Sequence, residues 1–462
     1  MKASVMNTLC RWLVVTVIFF LAARCTTRDQ VVGERIREYT DRVKVINTHE
    51  HQRWSEKQGD RRFRFYHLVI ASYLNADLKS AGGGRYDRKQ LDSLPLDELW
   101  NKFGQSLDDC RNTSYYGHYM KGLRKLYGID DLFFTKENIE TLSAQVEKNY
   151  SDYRSWFDKA FHKAGFELMF LDHYRNVFDT DIDTLHYALV FRVNDLIVQA
   201  RLRPEPGDEL RSIYSEADKE GYTIQSLDDY LEYCDHLFRK NIEHKAVSIK
   251  NALAYSRTLF YEAVPYEEAR VLFGKKASSL TPEEAKKLED FMFHWIIQKA
   301  IDYNLPVQIH TGYLAGNSNT LDNSNPVRLN NLFLTYPQAK FVLFHGGFPW
   351  TGECAALAKM FPNVYLDLVW LPQISREEAV HALDVMLDCV PHNKFFWGGD
   401  CHTIEESTGS LIYGKEVVAE VLANRVARGL MTEDLALKIV DRIFRENAIE
   451  VFRLEEKLGR EF

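Results

Sequence analysis

Eight short apolar runs with strand character recur along the chain, each separated from the next by a longer amphipathic stretch: Val43–Asn47, Glu167–Leu171, Ala188–Val193, Ala246–Ile249, Pro306–Ile309, Lys340–Phe344, Val364–Leu368 and Lys394–Trp397. Alternation of this kind builds a parallel sheet whose strands are joined by helices. Eight such units predict an α/β fold, a closed (β/α)8 barrel. Helices are expected over Leu288–Tyr303 and Arg376–Asp388; in the second, Val380, Leu383, Val385, Met386 and Leu387 supply an apolar face. A chain of 462 residues, 45% hydrophobic, is long enough for one large barrel with insertions. The longest interval, residues 52–165, reads as mostly helical and rich in Tyr, Trp and Phe. It is expected to be an insertion after the first strand, a lid or pocket wall on the catalytic face, because barrel function lives in the loops after the strands. A separate N-terminal domain is the structural alternative.

The formal charge of −8, with 66 acidic against 58 basic residues, leaves no basic patch for phosphates and argues against a nucleic-acid partner. Residues 1–25 read as an export signal: Lys2 and Arg11 precede an apolar run from Trp12 to Ala23 that is too short for a comfortable membrane span. Cys25 stands where a lipoprotein signal has its lipidated cysteine, whereas Arg24 replaces the small residue expected before it. Cleavage nearby and retention as an anchor are the alternatives. A periplasmic or membrane-anchored location in a bacterium is expected, with residues 26–462 as a single barrel domain. The five later cysteines, Cys110, Cys234, Cys354, Cys389 and Cys401, have no CxxC spacing and form neither a disulfide framework nor a zinc ribbon.

The chemistry is expected where polar residues end apolar strands. His49 and His51 close the first run one residue apart, and on an extended backbone residues i and i+2 share a face, the spacing of a metal-chelating pair. His310 closes the fifth run, His345 the sixth, and Asp400 follows the eighth. All lie at C-terminal strand ends, where barrel active sites are found. One histidine after an apolar strand is commonly structural, but five polar residues at matching ends of four strands point to a site. Asp172 and His173 follow the second run and Arg192 lies near the end of the third, so each is a candidate substrate contact. Trp350, Trp370, Trp397 and His402 are weaker pocket candidates, and Cys401 lacks the partners of a catalytic nucleophile.

The segments QIHTGY, FHGGFPW, NVYLDL and WGGDCH between Leu305 and Asp400, with the His49/His51 pair and the closing Arg445-Glu-Asn-Ala448, resemble the amidohydrolase superfamily. Within it they resemble the amidohydrolase-related branch, including the domain found in nodulin and glutamine-synthetase fusions. The resemblance implies a divalent metal held by His49, His51, His310 and Asp400, with Asp400 and His345 as catalytic residues. Zn2+ suits nitrogen and carboxylate ligands and leaves a position open for water, whose pKa it lowers to about 7; Asp400 then accepts the water's proton. Mn2+, Fe2+ and Ni2+ suit the same ligand types. Lys250, after the fourth run, is read as a substrate contact with Arg257 as a second anion contact, or as a carboxylated ligand to a second metal, or as structural. Hydrolysis of a C–N, C–O or lactone bond in a small carboxylate-bearing substrate is the expected reaction. Uronate isomerisation and non-oxidative decarboxylation are the alternatives. Homo-oligomerisation is left open, and a membrane is a partner only through a lipid on Cys25.

Overall fold

Strands β1 to β8 are Val45–Glu50, Phe166–Asp172, Tyr187–Arg192, Ser248–Asn251, Val307–Ile309, Phe341–Leu343, Val364–Asp367 and Phe395–Phe396, and they pair in parallel in chain order. Thr48 N–H donates to the Trp397 carbonyl at 3.3 Å, joining the last strand to the first. The fold is thus a (β/α)8 barrel with a long helical insertion after the first strand. The computed structural model describes residues 30–52, 63–83, 88–174, 178–204 and 213–462. The export-signal reading of residues 1–25, Cys25 included, lies outside the described residues. Among those residues no helix is long and apolar enough to cross a membrane, and Cys110, Cys234, Cys354, Cys389 and Cys401 are free thiols.

Period-two alternation sorts the strand residues into two layers. Leu189 and Phe191 of β3, Val307 and Ile309 of β5, and Phe341 and Leu343 of β6 face the surrounding helices in the main core. Ala188, Val190, Val342 and Phe396 instead pack together inside the barrel over Phe452. Continuing the inner row of β3 by one step places Arg192 at the mouth. β1 does not keep this alternation. Asn47 pairs with Met169 but Glu50 with Leu171, so β1 carries one extra residue between them. Such a bulge turns the side chains beyond it to the other face, and it is what brings His49 and His51 inward.

Seven helices, among the described residues, fill the interval between β1 and β2, from Phe65–Ala71 to Tyr153–Ala164, which leads into β2. They have a core of their own, built on Phe65, Phe103, Tyr119 and Leu142 among others. The insertion seats on the barrel where helix Ser114–Tyr127 crosses helix Ile404–Ala427. The crossing is close because Gly122 and Gly409 face each other across it: a Cβ on Gly122 would collide with the Glu405 carbonyl, and one on Gly409 with the His118 carbonyl. Backbone on both sides leaves no flexible neighbour to yield. Gly409→Val is therefore expected to destabilise the protein by about 3 kcal/mol, read as a lowered urea midpoint, whereas an unchanged midpoint would show that the two helices separate freely.

Candidate metal centre

His49, His51 and Asp400 meet at the barrel mouth. His49 Nε2 lies 3.2 Å from His51 Nε2 and 3.3 Å from Asp400 Oδ1, and His51 Nε2 lies 3.1 Å from the same oxygen. His345 Nε2 is 4.0 Å from Asp400 Oδ2 and 3.2 Å from His310 Nδ1. Two of these residues owe their aim to unusual backbone: His345 has φ 63° and Asp400 φ 59°. Left-handed turns are uncommon for non-glycine residues, though Asp and His tolerate them better than most. Each here turns the chain at a strand end so that the side chain points into the mouth. Just before Asp400, a Cβ on Gly399 would strike Glu50 Oε1, so only glycine lets β8 approach β1 this closely.

The second nitrogen of each outer imidazole fixes its tautomer. His51 Nδ1 lies 3.1 Å from the Asp172 carbonyl, His345 Nδ1 3.1 Å from that of Val369, and His310 Nε2 2.9 Å from that of Tyr313. A carbonyl oxygen only accepts, so each of these nitrogens carries a hydrogen, and where the ring is neutral the other nitrogen presents a lone pair to the centre. Burial pushes the His49 imidazole down to about 3 and that of His345 down to about 4, and burial followed by the neighbouring His345 lowers His310 well below its ordinary value. These three rings, His49, His310 and His345, are therefore neutral. Burial opposes the charge on Asp400, but His49 and His51 outweigh it and hold that carboxyl well below the usual range, so it is ionised.

Neutral nitrogens and one carboxylate thus face each other at contact distance. His310 Nδ1 and His345 Nε2, 3.2 Å apart, have no proton to share. The carboxylate end of this set is where a cation fits. Nitrogen and oxygen ligands of zinc sit roughly 2.0–2.1 Å from the ion, which in a tetrahedron sets them about 3.3 Å apart. The three sides of the His49, His51 and Asp400 triangle, 3.1–3.3 Å, fit that spacing, and these residues form a candidate metal site. His310 is joined to this triangle through His345 and itself lines the cavity that opens there.

A cavity of about 310 Å³ opens onto the triangle, near the lower end of the range for small-molecule sites. Arg192 and Lys250 bring cationic groups into it, and Tyr73, Tyr174 and Tyr255 form aromatic walls. Asp172 does not line it; buried, it holds Arg192 in place through a 2.7 Å ion pair. Lys250 Nζ lies 3.5 Å from His49 Nε2 and 3.4 Å over the Phe344 ring. Burial pushes its ammonium down to about 7 against the pull of Asp400 and Asp172.

The structure does not bring Arg257 or His173 to this cavity. Arg257 is spent elsewhere: its guanidinium is paired with Glu289 at 2.9 Å and with Asp290, on the helix Pro282–Asp302 outside the barrel. It fastens the loop after β4 and offers no charge to a ligand. Of the tryptophans, Trp370 stands edge-on to His345 with ring centroids 5.1 Å apart, and Trp397 packs in the main core. Cys401 is buried and its thiol is pushed well above the ordinary value by burial and by Glu406, which leaves it un-ionised. His402 does line the cavity.

Two residues that sequence reasoning passed over complete the site. Tyr73, from the insertion, donates its hydroxyl to the Asp400 carbonyl at 2.7 Å while Glu406 accepts its backbone N–H. Asp367, at the end of β7, accepts from the Thr48 hydroxyl at 2.5 Å and the Val369 N–H at 2.9 Å; burial pushes its carboxyl up to about 7. Its place at a strand end was a usable signal. Tyr73 had none.

Residues 277–454, which contain His310, His345 and Asp400, match the model of the amidohydrolase family. The chain is 32% identical over 190 residues to the protein fluG of Emericella nidulans; the match covers 39% of this chain and 22% of that protein. Among solved structures, it is similar to a glucuronate isomerase from Caulobacter crescentus (17% identity, 92% of this chain and 95% of that one, TM-score 0.75). It is also similar to a structure from Lactobacillus casei described as a metal-dependent hydrolase (16% identity, 92% and 98%, TM-score 0.61). At these identities the structural likeness shows the fold. The sequence match to the amidohydrolase family is confined to residues 277–454, the second half of the barrel, which carry three of the five residues gathered at its mouth.

Proposed function

We propose that this protein is a metal-dependent hydrolase acting on a small carboxylate-bearing substrate. The observation that carries the reading is the set of inward lone pairs around the ionised Asp400, with the 3.1–3.3 Å triangle of His49, His51 and Asp400 at its centre. A divalent cation held by these residues, Zn2+ by preference, supplies Lewis acidity that polarises a substrate oxygen and makes water acidic near neutral pH. Asp400, ionised and buried, takes the proton of the attacking water and returns it to the leaving group. His345, neutral and directed by Val369, orients the scissile group. Arg192, clamped by Asp172, binds the substrate carboxylate, and Lys250 adds charge from the neighbouring strand. Tyr73 closes the side of the cavity towards the insertion.

The glucuronate isomerase likeness supports a second reading, in which the same cationic pair binds a uronate that is isomerised. A panel of lactones, amides, esters and uronates separates the two. Hydrolysis products from the first three groups are expected; an isomerised uronate with no hydrolysis product would replace the hydrolase reading. On whichever substrate responds, Arg192→Met is expected to raise KM by about 10- to 100-fold, the worth of one charged hydrogen bond. Unchanged KM would place the carboxylate elsewhere.

A further inference from the structure

At the far end of the barrel, where the helix Tyr153–Ala164 runs into β2, three side chains meet that the proposed chemistry does not use. His186 Nε2 lies 3.1 Å from Asp158 Oδ1, and His162 Nε2 lies 3.4 Å from the same oxygen. Asp158 and His162 are four apart on one helix, so they share a face. His186 immediately precedes β3, whose last residue is Arg192. Six residues of extended chain put this cluster on the order of 20 Å from the mouth, at the N-terminal face of the barrel.

We infer that Asp158, His162 and His186 form a second metal site, for a divalent transition ion of the zinc class, that ties the insertion's last helix to the β2–β3 connection. Four observations support it. The 3.1 and 3.4 Å separations suit a tetrahedral zinc, whose ligands sit about 3.3 Å apart. Two of the three donors are imidazole nitrogens, which favours Zn2+, Ni2+ or Cu2+ over Mg2+ or Ca2+. His186 Nδ1 lies 2.8 Å from Asp183 Oδ2, which holds a proton on that nitrogen and leaves Nε2 as the atom that faces Asp158 and His162 and would ligate the ion. A carboxylate behind a ligating histidine is the usual support of such a ligand. Asp183 is itself held, its other oxygen accepting the Leu185 N–H at 3.0 Å. Finally, the His186 ring stands edge-on between Phe157 and Phe161, with centroids 5.4 and 4.8 Å away. The buried histidine is thus rigid and pre-aimed, while His162, with 67% of its side chain exposed, completes the site from solvent. The N-terminal face of a barrel serves stability, not catalysis, and the ion would act there as a clasp.

The full-length protein, stripped with chelator and dialysed against Zn2+ alone, is expected to take up two ions per chain. His162→Ala is expected to retain one, because its exposed side chain can be removed without disturbing packing. Asp183→Asn is expected to keep both ions but weaken one by about 10- to 100-fold. His51→Ala, which lowers occupancy at the mouth, leaves the clasp filled, so failure of the mouth site and failure of the clasp are told apart. If His162→Ala binds as much Zn2+ as the wild type, with the same affinity, the clasp does not exist.

Discussion

Asp400→Asn is expected to lower turnover by about 10³-fold, the middle of the range for a general base, or about 4 kcal/mol of barrel-mouth chemistry. The substitution conserves shape, and the Asp400 N–H still donates to the His49 carbonyl at 2.8 Å, so the turn at φ 59° has reason to persist. What it removes is the negative charge between His49 and His51. Without it no group in the triangle can accept a proton, and three neutral donors must hold the cation alone. Two measurements separate these effects: turnover at saturating Zn2+, which isolates the lost base, and Zn2+ affinity by dialysis, which isolates the lost ligand. Chelation of the wild type should abolish turnover, with recovery on adding Zn2+. Unchanged turnover in the Asn variant would remove Asp400 from the mechanism, and turnover insensitive to chelation would remove the metal.

Much of this centre was legible in the chain because barrel strands are short, apolar and evenly punctuated. His310, His345 and Asp400 each follow a run whose outward residues, such as Val307 and Ile309, read directly as strand. Their convergence is a consequence of the fold. The parts that were not legible depend on geometry that alternation does not encode. His49 reaches the inside through the extra residue between Asn47 and Glu50, and a strict period of two from Ile46 would have turned it outward. Arg257 looked like an anion contact from its proximity to Lys250, but its partners Glu289 and Asp290 lie more than thirty residues on, on a helix of their own. Tyr73 comes from an insertion with no strand end to mark it, and only the packing of that insertion on helix Ile404–Ala427 brings its hydroxyl to Asp400.

That packing has a buried anchor in Glu405, and removing it should be costly. Glu405, fully buried on the first turn of helix Ile404–Ala427, accepts from the Tyr127 hydroxyl at 2.7 Å, the Trp156 indole at 2.9 Å and the Tyr150 hydroxyl at 2.8 Å. These donors come from three successive helices of the insertion, Ser114–Tyr127, Lys136–Tyr150 and Tyr153–Ala164. Its carboxyl is pushed upward by burial, and the three donors work against that rise. Glu405→Ala would strand all three, each stranded buried donor costing about 1–3 kcal/mol, so a loss on the order of 5 kcal/mol is expected. Glu405→Gln should cost less than half as much, since its amide can accept from one donor and donate to a hydroxyl turned to receive it. Urea unfolding followed separately by tryptophan fluorescence and far-ultraviolet circular dichroism checks this. If the two probes separate in the Ala variant, the insertion has come loose before the barrel, and Tyr73 with it; Zn2+ affinity at the mouth should then change little while KM rises. A midpoint equal to that of the wild type would mean that the glycine crossing at Gly122 and Gly409 holds the insertion unaided, and that Glu405 contributes nothing beyond filling its own space.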